Sequence, residues 1–98
     1  MDRDEAKLVL TGRRRGPEVP TKHAELDRQV FVEAGATVEG AILGGRVVVT
    51  GPNTTVAGPV YARRSMSLSP AGGRIELGGG AIARDGILAE AGEGEAGW

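Results

Sequence analysis

Arg28, Arg46 and Arg64 recur at intervals of 18 residues, with Arg63 and Arg84 close by. In a chain that coils with that period, their guanidinium groups would leave the backbone on one corner, one above the next. The chemistry open to such a column is capture of an anion: a phospholipid headgroup, a nucleic-acid backbone, or the acidic segment of a neighbouring copy. A simpler use competes with it, in which long Arg side chains splay into water and cover apolar surface with their stems. Nucleic acid is the poorest of the three ligands, because the column has no interleaved aromatics for stacking and the chain carries a formal net charge of −1. Catalytic chemistry has little to work with. His23 is the single histidine, Glu39 and Glu76 stand alone, and there is no cysteine. Gly44-Gly45 and Gly78-Gly79-Gly80 are followed by no Lys-Ser/Thr and read as corners rather than phosphate loops. No catalytic residue, cofactor or metal ligand is expected.

The elements that must position these groups come from a second periodicity. Between Val30 and Ala89, small or apolar residues recur in pairs every six positions: Val30/Val32, Ala36/Val38, Ile42/Gly44, Val48/Thr50, Thr54/Val56, Val60/Ala62 and Met66/Leu68. After a slip at Ser69 to Gly73 the ladder resumes as Ile75/Leu77, Ala81/Ala83 and Ile87/Ala89. With 26% of the chain charged, these positions would hold about five charges if unselected; they hold none. Members of a pair are two residues apart and share one face of a strand. Gly35, Gly40, Gly45, Gly51, Pro52, Gly58 and Pro59 fall between pairs and supply corners. Strands this short, separated by single corners, fit a coil of three strands and 18 residues. The predicted fold is all-β: a short triangular β-helix of about three to three and a half coils. Thr50 and Thr54 face inward on this reading, so their hydroxyls must bond to backbone carbonyls or to water.

The domain organisation expected is a flexible N-terminal arm over 1–27, a β-helix over 28–89 and an acidic Gly-rich tail over 90–98. The arm carries an apolar run, Leu8-Val9-Leu10, and a basic run, Arg13-Arg14-Arg15, which together suit a shallow contact with a membrane or a partner. No run approaches the length of a membrane span and no secretory leader is evident, so a soluble chain at the inner face of a cytoplasmic membrane is expected. Residues 28–84 carry six Arg against three Glu, and Asp85 to Trp98 adds four acids, a division that favours self-association.

The Val38-Glu39-Gly40 and Val56-Ala57-Gly58 units, the Gly-bounded segment Gly45-Arg46-Val47-Val48-Val49-Thr50-Gly51, and an arm ahead of a short solenoid resemble the bactofilins, bacterial polymer-forming cytoskeletal proteins. The resemblance covers about Gln29 to Ala89. It implies a right-handed β-helix, end-to-end polymerisation without nucleotide, and tails that attach to membrane or partner. It implies no catalytic residue. On that footing Val30, Phe31 and Val32 at one end, with Ile87 and Ala89 at the other, are the expected self-assembly contacts. Arg28, Arg46 and Arg64 are the expected anion or partner site, and Leu8 to Leu10 with Arg13 to Arg15 the attachment arm. The alternatives are a small β-helical binding module for an anionic partner, or an enzyme of the hexapeptide-repeat type. The last would want histidines on the coils, and His23 precedes the first strand.

Overall fold

The structure is a computed structural model that describes residues 7–20, 26–69 and 73–89 and the backbone of 95–97. It is all-β, a solenoid of about four turns. The strands, in chain order, are β1 (Lys7–Leu10), β2 (Arg13–Arg14), β3 (Gln29–Val32), β4 (Thr37–Val38), β5 (Ile42–Gly44), β6 (Arg46–Thr50) and β7 (Thr54–Val56). There follow β8 (Val60–Ala62), β9 (Met66–Ser69), β10 (Arg74–Leu77), β11 (Ala81–Ala83), β12 (Ile87–Ala89) and β13 (Glu95–Gly97).

Every strand pairing is parallel, and the strands sort into three sheets that form the walls of a prism. Sheet A runs β1-β3-β6-β9-β12, sheet B runs β2-β4-β7-β10-β13, and sheet C runs β5-β8-β11. Glu18 adds one more rung to sheet C through a parallel bridge to Ile42. Each coil visits A, then B, then C. The paired small and apolar residues point inward in register: Val38 on Val56 on Leu77 in sheet B, and Ile42 on Val60 on Ala81 in sheet C. Their side chains merge into one core, with Leu10, Val30, Val32, Val47, Val49, Leu68 and Ile75 fully excluded from solvent.

Two features explain why this sequence takes these corners. The glycine of each Val-x-Gly unit sits where one rung's backbone rests on the next. A Cβ on Gly58 would come within 2.4 Å of the Gly40 carbonyl carbon, and one on Gly79 within 2.3 Å of that of Gly58. No side chain fits in that column. The other feature is Thr54, the only buried polar residue among those described. Its hydroxyl donates to the Thr50 carbonyl at 2.5 Å and accepts the Gly35 amide at 3.2 Å, tying the β6–β7 corner to the corner of the coil before it. The need for a backbone partner at Thr54 is met inside the protein.

The structure departs from the sequence reading at four places. Val47 and Val49, not Val48 and Thr50, face the core, and Val30 pairs with Val47. The cause is the corner at Gly45 and Arg46, one residue shorter than the Arg63-Arg64-Ser65 corner of the next coil. Gly45 lies against the Asp27 backbone, where an added Cβ would meet the Asp27 carbonyl oxygen at 2.7 Å. The corner from Thr50 to Asn53 is one residue longer and restores phase before Met66.

The segment expected to be a flexible arm is a coil as far as it is described. β1 pairs with β3, β2 with β4, and Leu10 is fully buried. Alternation at Leu8 and Leu10 was present, but the long spacing between this coil and β3 hides it from a six-residue period. Residues 21–25, which carry His23, and residues 1–6 lie outside the described residues.

In consequence Val30, Phe31 and Val32 are not at an end of the stack: β3 lies between β1 and β6. Most of the acidic tail, and Pro70 to Gly72 of the predicted slip, lie outside the described residues, but Glu95–Gly97 forms a strand on β10.

Candidate interaction surfaces

The corner between sheets C and A holds most of the described arginines. The backbone hydrogen bonds there run from Gly45 N–H to the Arg28 carbonyl, from Arg64 N–H to Gly45, and from Asp85 N–H to Arg64. The vertical order is therefore Arg28, Gly45, Arg64, Asp85. Arg46 is displaced by one position and pairs with Gln29 at the start of sheet A. The expected column of Arg28, Arg46 and Arg64 is broken by the same short corner that shifts Val47 inward. Asp27 further occupies it: its carboxylate lies 3.4 Å from the Arg63 guanidinium and 3.8 Å from that of Arg64. Nε of Arg28 is buried and has no hydrogen-bond partner among the described residues. The corner remains basic, with Arg28, Arg63, Arg64 and Arg84 against Asp27 and Asp85.

The corner between sheets B and C carries one net positive charge among the described residues. Arg13 pairs with Glu39 at 3.1 Å and Arg14 with Glu18 at 2.9 Å, leaving exposed Arg15. Arg14 and Glu18 occupy the register positions of Val38 and Ile42, the inward positions of the coil below. They place an ion pair over the N-terminal end of the core, as polar caps do in repeat proteins. Two of the three arginines assigned to an attachment arm are thus engaged within the solenoid.

The two ends of the stack differ. The hydrophobic side chains that pack on the core without being enclosed by it are Leu8 in the first coil and Ala81, Ala83 and Ile87 in the last. Among the described residues, no strand covers the outer edges of β11 and β12 at the C-terminal end, where Ala81, Ala83 and Ile87 lie, and Ala89 is exposed. Ile87 and Ala89 lie where the sequence reading placed them, at an end.

The outer faces of the walls also differ. Sheet B turns out Thr37, Thr55 and Glu76, in register. Sheet C turns out Leu43, Tyr61 and Ile82 in one register line, and Val19, next to the Glu18 bridge, extends it onto the first coil. Exposure along this line is 37% at Val19, 44% at Tyr61 and 65% at Ile82. Sequence reasoning passed over these residues. The signal was available for Leu43, Tyr61 and Ile82, because each is the middle residue between two inward members of a pair and ought to be polar on a solvated wall. Sheet A turns out Val9, Phe31, Val48, Ser67 and Leu88 in register, with Val9 40% and Leu88 71% exposed; Ser67 breaks this line and the Lys7 ammonium lies 5.1 Å from the Phe31 ring centre. No helix among the described residues is long and apolar enough to cross a membrane.

No family model, curated protein or solved structure matches this chain.

Proposed function

We propose that this protein is a non-enzymatic scaffold subunit of the bactofilin type, which self-assembles end to end through the terminal coils of its solenoid at the inner face of a cytoplasmic membrane. The observation that carries this reading is the exposed apolar C-terminal coil. Ala81, Ala83 and Ile87 continue the core and are left part-exposed beside the edges of β11 and β12, which no strand among the described residues covers. An open parallel edge is a template for a further strand, and stacking another coil on it buries those side chains. The contact surface is Ile87, Ala89 and the β11 pair. Val30, Phe31 and Val32, interior to the stack, support the coil rather than the junction.

The test is the mass of the purified chain by multi-angle light scattering at tens of micromolar, roughly the range a weak interface needs, together with negative-stain microscopy. Ordered assemblies are expected from the wild type, and monomers from Ile87→Lys with an unchanged circular dichroism spectrum. A wild type that stays monomeric sinks the proposal.

A further inference from the structure

We infer that the outer wall of sheet C is a docking surface for an anionic lipid bilayer. This goes beyond end-to-end assembly: it concerns a side of the prism, and it moves the membrane contact away from the N-terminal segment expected to make it.

The wall presents Val19, Leu43, Tyr61 and Ile82 in a single line across four coils. At the spacing of neighbouring strands the line is about 14 Å long. No charged side chain interrupts it. A parallel sheet packed only on its inner side normally alternates polar residues outward, as sheet B does with Thr37, Thr55 and Glu76. The line on sheet C is unbroken, that on sheet A is broken by Ser67 and carries Lys7 beside Phe31, and that on sheet B is polar, so the prism is amphipathic about its stacking axis.

The charges beside the line select the occupant. On one flank Arg28, Arg63, Arg64 and Arg84 outnumber Asp27 and Asp85; on the other, Arg13 and Arg14 are neutralised by Glu39 and Glu18, and Arg15 adds a positive charge. Both flanks are net positive among the described residues. A second copy docked wall to wall by a two-fold axis would bring positive flank against positive flank in either orientation, which opposes the pair. A surface that is apolar within and anionic at its rim is complementary to both features. Aliphatic side chains enter the acyl boundary, Tyr61 keeps its hydroxyl at headgroup level, and the arginines meet lipid phosphates.

The experiment is flotation of the full chain with vesicles of phosphatidylcholine alone, or of phosphatidylcholine mixed with phosphatidylglycerol. The wild type is expected to float with the anionic vesicles only. Tyr61→Ser with Ile82→Ser should abolish flotation, Arg15→Ser with Arg84→Ser should weaken it roughly thirtyfold, and Thr37→Ser with Thr55→Ser on sheet B should leave it unchanged. Ile87→Lys should still float, which separates this inference from end-to-end assembly. As a measurement that leaves the wall apolar, Tyr61→Trp in a Trp98→Phe chain should shift its emission to the blue on adding anionic vesicles. Absence of wild-type flotation, equal flotation with both vesicles, flotation unaffected by the Tyr61/Ile82 change, or no emission shift would each overturn the inference. So would a wild-type dimer that the Tyr61/Ile82 change returns to monomer while vesicles capture neither, since the wall would then join two copies.

Discussion

The Asp27 carboxylate meets the Arg63 guanidinium at 3.4 Å, and Gly45 occupies the coil between them. The ion pair can reach past that coil because its corner residue has no side chain. Asp27 packs its backbone against Gly45 and its carboxylate extends to the following corner, so one residue joins three successive coils. The geometry separates two contributions that a contact inventory would merge. The ion pair is half in solvent and should contribute no more than about 1 kcal/mol. The backbone contact excludes any Cβ. Gly45→Ala is therefore expected to destabilise by roughly 2–3 kcal/mol, and Asp27→Asn by less than about 1 kcal/mol. Urea unfolding, carried out in the Ile87→Lys background to keep assembly out of the comparison, checks the order.

The glycine column gives a second comparison. Gly58→Ala drives a methyl group into the Gly40 backbone, where neither neighbour can yield without moving a coil, and should cost roughly 3 kcal/mol or more. Gly35 has open space where its Cβ would be but a φ of +79°, so Gly35→Ala should cost only about 1 kcal/mol, from backbone strain. Thermal unfolding of the two variants distinguishes crowding from strain.

Thr54 supplies a third. Thr54→Val preserves shape and removes a hydroxyl that serves the Thr50 carbonyl and the Gly35 amide; the amide keeps its bond to the Pro52 carbonyl at 3.0 Å, so the loss falls on the Thr50 carbonyl. A loss of about 1–3 kcal/mol is expected. Thr54→Ser keeps the hydroxyl and should recover more than half of that loss. Urea unfolding of the two variants checks the order.

Neighbouring valines on β6 test which side of the wall each one faces. Val47 is enclosed and Val48 is partly open to solvent. Val47→Ala should cost roughly 2 kcal/mol and Val48→Ala less than about 1 kcal/mol. The reverse order, read from urea midpoints, would place the short corner somewhere other than Gly45.

The β-helix was legible because a prism with three narrow walls demands the same thing at every rung: two inward side chains per strand and a corner that can turn. The Val38-Glu39-Gly40 and Val56-Ala57-Gly58 units record both demands, and the structure gives the glycine its physical reason. Less was legible where a rung departs from the common length. A corner shortened at Gly45 changes no residue type, since Val47, Val48 and Val49 are all valine, so either phase satisfies an uncharged ladder. Lys7 to Leu10 reads as an isolated run because its partner strand begins at Gln29, beyond the 18-residue repeat. The sheet C line needed a different question. The ladder is defined by inward positions alone, so the apolar outward residues Leu43, Tyr61 and Ile82 leave no trace in it.

Parallel in-register stacking also decides how the molecule comes into being. Each strand hydrogen-bonds only to its counterparts one coil before and one coil after, so no strand closes the structure by returning to an earlier one. Folding in such a lattice is a wetting front: a coil already in place offers the next segment a full set of donors, acceptors and apolar slots, and every added turn repeats the same transaction at nearly constant loop length. The middle coils, built around β6, the longest described strand, and its partners β3 and β9, are the natural seed. The front then runs outward in both directions. It reaches the Arg14–Glu18 pair at one end, where the pattern turns polar, and β11 with β12 at the other, where nothing in the described chain tells it to stop.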